Sequence, residues 1–128
     1  MKKKLLSILL AAAMATTVVS GTALIVNADS EGDLSGKTFA IVIRNSGNPY
    51  AEKDADGFKQ VIEAACGECI IKSPEKATAD AQIPLIQSLI SQEVDAIAIA
   101  SNDVNALTAC LQDALDEGIK VLTLDSNV

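Results

Sequence analysis

The chain has 128 residues, a formal net charge of -7 at pH 7, 49% hydrophobic and 2% aromatic content, and room for one ordinary domain. One Tyr, two Phe and no Trp in an acidic chain supply neither the clustered basic face nor the stacking platforms of a nucleic-acid binder, so no nucleic-acid partner is expected. With no histidine, Ser-His-Asp and Cys-His catalysis, the HExxH zinc site and most catalytic zinc sites are excluded.

The amino terminus opens with Lys2, Lys3 and Lys4, followed by an apolar run from Leu5 to Val26 and a small residue at Ala28. A positive start, an apolar stretch and a small-residue cut describe a secretory signal peptide, here 1–28, and imply an exported product destined for the periplasm or cell envelope. The rival reading is an uncleaved anchor, since about 20 apolar residues can span a bilayer. Asp29, Glu31 and Asp33 follow the run where an anchor would carry Lys or Arg, and no cysteine near the cut offers a lipid acceptor. After Ala28 seven basic groups face seventeen acidic ones. Residues 29–36 are polar and glycine-bearing, which reads as a flexible leader.

From Lys37 onward, short apolar runs alternate with segments of helical period. Lys37–Ile43, Glu68–Lys72, Val94–Ala100 and Lys120–Leu124 read as strands covered on both faces. Between them Ala55, Phe58, Val61, Ile62 and Ala65 recur at three-to-four spacing, then Ile83, Ile86, Leu89 and Ile90, then Leu107, Cys110, Leu111, Ala114 and Leu115. Each set is one apolar stripe facing a sheet. Asn48-Pro49 supplies a cap and a first-turn proline, while Gly67 and Gly118 mark the ends of helices one and three. Pro84 fits if helix two starts at about Asp80, giving a helix at about 80–92. The order β-α-β-α-β-α-β predicts an α/β fold: a doubly wound parallel sheet in three α/β/α layers with flavodoxin-like winding. The sequence stops just past the fourth strand, which reads as a truncated frame or an isolated lobe.

In open parallel sheets the ligand crevice lies beyond the carboxyl ends of the strands, at the switch in winding. That rule selects Arg44, Asn45, Ser46, Asn48 and Tyr50 after strand one, Ser73 after strand two, Ser101 and Asn102 after strand three, and Asp125, Ser126 and Asn127 after strand four. Amides, hydroxyls and a carboxylate are what a polyol requires, because each of its hydroxyls both donates and accepts. Asp125 is expected to make the strongest contact. Asn45, Ser46 and Asn48 equally suit turns and caps.

The glycines at 47, 57, 67 and 118 fall singly, so no phosphate-binding loop is present and no cofactor is expected. Cys66 and Cys69 form a CxxC, open to three readings: a redox pair, a disulfide or two structural thiols. A redox CxxC opens a helix, whereas this one closes a helix and enters a strand. Cys110 sits on the third apolar stripe as a small core residue. Asp54, Asp56, Asp113, Asp116 and Glu117 fall off the stripes and read as solvated faces. The strand ends also lack the acidic cluster that a receiver-type signalling domain needs.

Arg44 to Tyr50 (RNSGNPY), Gly57-Phe58, Pro74 to Ile90 (PEKATADAQIPLIQSLI), Val94 to Asp103 (VDAIAIASND) and Val121 to Ser126 (VLTLDS) together resemble the type I periplasmic sugar-binding proteins of ABC importers. Within them the chain is most similar to the rhamnose and autoinducer-2 branch. The likeness covers 37–128 and implies the amino-terminal lobe of a two-lobed clamshell that closes on a sugar and presents it to membrane permease subunits. It implies that Asp125 holds ligand hydroxyls, that Arg44 stands where autoinducer-2 binders place a basic residue, and that Tyr50 packs against a sugar face. The expected function is thus a non-enzymatic solute-binding component of an importer for a monosaccharide or related polyol, touching the membrane only through the transporter. The alternative is an exported thiol-disulfide protein using Cys66 and Cys69.

Overall fold

The structure, a computed structural model, describes residues 32–125. The expected signal peptide, Ser126 and Asn127 lie outside the described residues, and of the leader only residues 32–36 lie within them. There the Leu34 amide donates to the Ala65 carbonyl at 2.8 Å.

The elements follow the expected alternation: β1 (Thr38–Val42), α1 (Pro49–Ala64), β2 (Glu68–Lys72), α2 (Ala79–Ser91), β3 (Ala96–Ala100), α3 (Val104–Asp116) and β4 (Lys120–Leu124). All strands are parallel, in the order β2-β1-β3-β4. The chain therefore steps from β1 outward to β2, returns past β1 to β3, and continues to β4, so the winding reverses between β1 and β3. Ile86, Leu89, Leu107, Leu111 and Ala114 of α2 and α3 pack with Val42, Ile97 and Ile99 in one core. Ala51, Ala55 and Phe58 of α1 pack with Ile41, Ile43 and Ala98 in the other. These two cores make the three layers of the doubly wound fold.

The central strands β1 and β3 are covered on both faces, but β2 and β4 are edge strands and are not. Leu122 of β4 is 56% exposed. Two stripe residues also fall outside the core: Val61 is 70% exposed and Leu115 49%. At 3.6 residues per turn each lies about 90° from the centre of its buried stripe, so the apolar faces are narrower than the spacing suggests.

Helix ends correct two further expectations. Each helix closes on a left-handed residue: Cys66 (φ 64), Glu93 (φ 53) and Gly118 (φ 82). In each the next amide reaches back five residues, as in Gly67 to Ile62 at 2.9 Å and Ile119 to Ala114 at 2.9 Å, which is Schellman geometry. The left-handed position of α1 is thus Cys66, not Gly67. Gly67 is required for close approach, since a Cβ there would stand 2.9 Å from Ile62 Cγ2 and 3.0 Å from Leu34 Cβ. Pro84 lies inside α2, beyond its first turn. It is exposed, and the Asp80 carbonyl it leaves without an intrahelical donor belongs to an exposed residue that water can reach.

Asp95 fastens the amino-terminal end of the sheet. Its Oδ1 accepts from Lys37 Nζ at 2.8 Å and its Oδ2 from the Thr38 amide at 2.8 Å. The Lys37 bond first, and the Thr38 amide second, hold the Asp95 carboxyl below its ordinary value of 3.8. A carboxyl depressed by folding stabilises the fold above its unfolded pKa, and that contribution disappears as pH falls through the folded value. Asp95→Asn is therefore expected to lower the urea midpoint at neutral pH, with the gap to the parent closing progressively below about pH 4. A gap of constant size through acid would show that the carboxylate's charge is irrelevant.

Candidate functional site

The carboxyl ends of β1, β3 and β4 converge beside the amino terminus of α1. There a recess of about 220 Å³ has a floor of Ile41, Ile43 and Ala100 and a polar wall of Arg44, Asn48, Tyr50, Asp54 and Asp125. The winding brings these residues together from three segments. Arg44 follows the end of β1. Asn48 Oδ1 caps α1 by accepting from the Tyr50 amide at 3.1 Å and the Ala51 amide at 3.4 Å. Such a cap fixes the first helical turn, worth about 1 kcal/mol. Tyr50 in that turn is 65% exposed, and Asp54 stands one turn further along on the same face. Asp125 follows β4 with φ 59, a left-handed conformation uncommon outside glycine and best tolerated by Asn and Asp.

The Asp54 carboxylate first, and Asp125 second, raise the Tyr50 phenol above its ordinary value of 10.0. Tyr50 thus stays protonated at physiological pH and offers a neutral donor beside an aromatic face. Arg44 adds a fork of donors, and two carboxylates add acceptors. This set can meet a molecule whose hydroxyls alternate donor and acceptor roles.

Among the described residues, the other expected site residues lie outside the recess lining, and two of them, Asn45 and Asn102, bond backbone carbonyls. Asn45 Nδ2 donates to the Ser46 carbonyl at 2.8 Å, and the Ser46 amide donates to the Pro74 carbonyl at 2.9 Å, fixing the loop. Asn102 Nδ2 donates to the Arg44 carbonyl at 2.7 Å. Ser101 is buried, outside the recess lining, and its hydroxyl has no hydrogen-bond partner among the described residues. The structure therefore gathers Arg44, Asn48, Tyr50 and Asp125, and sets Asn45, Ser46, Ser101 and Asn102 aside from the recess.

Two residues escaped the sequence reading. Asp54, assigned to a solvated face, is exposed yet lines the recess; its signal was the four-residue spacing from Tyr50. Gln82 is buried on the core stripe of α2 and bonds the ends of β1 and β3. Its signal was a polar residue in register with Ile86 and Leu89.

A larger recess of about 570 Å³ opens at the opposite end of the sheet, beside Lys37, Asp95 and Lys120. Size does not decide between the two. The carboxyl-end rim lies where the winding reverses and where loop side chains converge, whereas the charges at the other end include the Lys37–Asp95 clasp.

Cys66, Cys69 and Cys110 are free thiols. Cys66 follows the carboxyl end of α1, and burial first, with Glu63 second, pushes the Cys69 thiol above its ordinary value of 9.0. Both facts run against the low-pKa thiolate of a redox pair.

A family profile described as the periplasmic binding protein domain matches residues 39–128. A solved ABC transporter solute-binding protein from Clostridium phytofermentas with bound L-rhamnose is 51% identical, with a TM-score of 0.70, covering 72% of this chain and 29% of that one. One from Burkholderia graminis, in complex with D-arabinose, is 27% identical with a TM-score of 0.68, over 74% of this chain and 32% of that one. LsrB from Clostridium saccharobutylicum, in complex with AI-2, is 26% identical with a TM-score of 0.68, over 71% of this chain and 28% of that one. The chain spans less than a third of the length of each of these three proteins.

Proposed function

The chain belongs to the periplasmic binding protein domain family, and from that premise we propose that residues 37–128 form the first lobe of an extracytoplasmic solute-binding component of an ABC importer. Its cargo is a monosaccharide or related polyol, its role is binding without catalysis, and its macromolecular partners are the permease subunits. Residues 1–28 serve as the export signal. The observation that supports this reading best is the convergence of Arg44, Tyr50 and Asp125 on one recess at the reversal of winding.

Magnitudes argue that the recess is one wall of the site. Ligand pockets usually measure about 300–1,000 Å³, against about 220 Å³ here. Micromolar affinity requires about -8 kcal/mol. A few hydrogen bonds of roughly 0.5–3 kcal/mol each barely exceed an association penalty of about 4 kcal/mol or more. A second lobe closing over the ligand supplies the remaining contacts.

Calorimetric titration of the intact two-lobed protein with L-rhamnose, D-arabinose, D-allose and AI-2 tests the assignment. Saturable binding of at least one of them in the micromolar range or tighter is expected. Silence across the whole panel, with the protein folded, would remove the sugar assignment.

A further inference from the structure

We propose that Gln82 is a positioning residue for ligand binding: its side-chain amide clasps the carboxyl ends of β1 and β3 and fixes, through Asn102, where Arg44 enters the recess. The proposal rests on the ligand-binding reading of this rim.

The β1–β3 ladder runs from Phe39 opposite Ala96 to Val42 opposite Ile99 and then stops. Ile43 and Ala100 are the next residues on each strand, and both are buried. Past that last pair no β1–β3 register is formed, and the carbonyls of Ile43 and Ala100 lie there on buried residues. A buried carbonyl without a donor is strongly disfavoured.

Gln82 reaches these two carbonyls from α2, with no exposed surface. Its Nε2 donates to the Ile43 carbonyl at 3.2 Å and to the Ala100 carbonyl at 2.8 Å. Its Oε1 accepts from the Asn102 amide at 2.9 Å. Two donors and an acceptor on one planar group match the three backbone partners, a combination that Glu cannot supply as a carboxylate and that Met lacks. Asn102, anchored through its backbone, then donates from its own Nδ2 to the Arg44 carbonyl at 2.7 Å. A continuous run of hydrogen bonds therefore leads from the helix core to the residue that lines the recess.

A merely structural glutamine and a positioning glutamine make different predictions. The first lowers the folded fraction and leaves the affinity of folded molecules intact. The second changes the affinity of molecules that are fully folded. In the intact protein, Gln82→Met is expected to weaken L-rhamnose binding by about tenfold or more in calorimetry. Amide hydrogen exchange at Asn102 should also accelerate by about tenfold or more, as its acceptor disappears. Circular dichroism checks that the variant is folded. Asn102→Ala keeps the core glutamine and removes only the Arg44 link, so it serves if Gln82→Met does not fold. It is expected to bind about three- to tenfold more weakly with a near-parental melting temperature. Unchanged affinity in folded Gln82→Met, or in Asn102→Ala, overturns the proposal. Should the parent bind no sugar of the panel, the transport reading fails separately. Asn102 exchange then decides the clasp, and an unchanged rate in Gln82→Met overturns it.

Discussion

Replacing Asp125 by alanine in the intact protein is expected to weaken sugar binding by at least about tenfold while leaving the fold in place. Asp125 is exposed at the end of β4 and borders the recess. A carboxylate there can accept two charge-assisted hydrogen bonds from neighbouring hydroxyls, each worth about 1.5–3 kcal/mol. Loss of one such bond corresponds to about a tenfold fall, and loss of both to a hundredfold or more. The left-handed backbone at Asp125 complicates the alanine variant, because alanine is less tolerant of that conformation, by roughly 1–2 kcal/mol. Asp125→Asn separates the two effects. Asparagine tolerates the same backbone and keeps the shape, but loses the charge, so its affinity should fall between parent and alanine. Calorimetry of the three proteins, with denaturant midpoints measured alongside, reads both quantities. Equal affinity in all three would remove Asp125 from the site.

The positions of strands and helices were legible because they depend on local periods. Asn48 accepts from amides in the first turn of its helix, as a short polar side chain before a first-turn proline should. The parallel order was legible as well, since alternating strands and helices leave few other connections. What periodicity could not show is how far an apolar face extends. Val61 and Leu115 obey three-to-four spacing yet lie at its margin, where only the neighbouring layer decides burial. The candidate rim was legible, but not which of its side chains line the recess. Asn45 and Asn102 have the chemistry to meet a sugar, and each instead donates to a backbone carbonyl. Asp54 shows the converse. Its place off the apolar stripe marked it as a solvated carboxylate; the spacing set it beside Tyr50, and only the third dimension sets it against Asp125.

The largest loss of stability is expected from Leu89→Ala. Leu89 is fully buried in α2, in the same core as Ile86, Ile97 and Ile99. Truncating such a leucine removes the transfer free energy of its side chain and leaves a cavity, together about 2–5 kcal/mol. Domains of this size hold a total of about 5–15 kcal/mol, so the variant should unfold at a much lower denaturant concentration with an unchanged slope. Leu115→Ala, at a residue 49% exposed, is expected to shift the midpoint by no more than about 0.5 kcal/mol in equivalent stability. The pair turns two residues of equal hydrophobicity and similar spacing into opposite outcomes. Leu89 also shares the inner face of α2 with Gln82, but sits at the other end of the helix from the rim. The affinity of folded Leu89→Ala should consequently change by less than about threefold. A stability loss below about 1 kcal/mol would mean that this side chain does not anchor α2 in the core. A loss of affinity as deep as that of Gln82→Met would mean that the rim depends on the whole helix and not on its one buried amide.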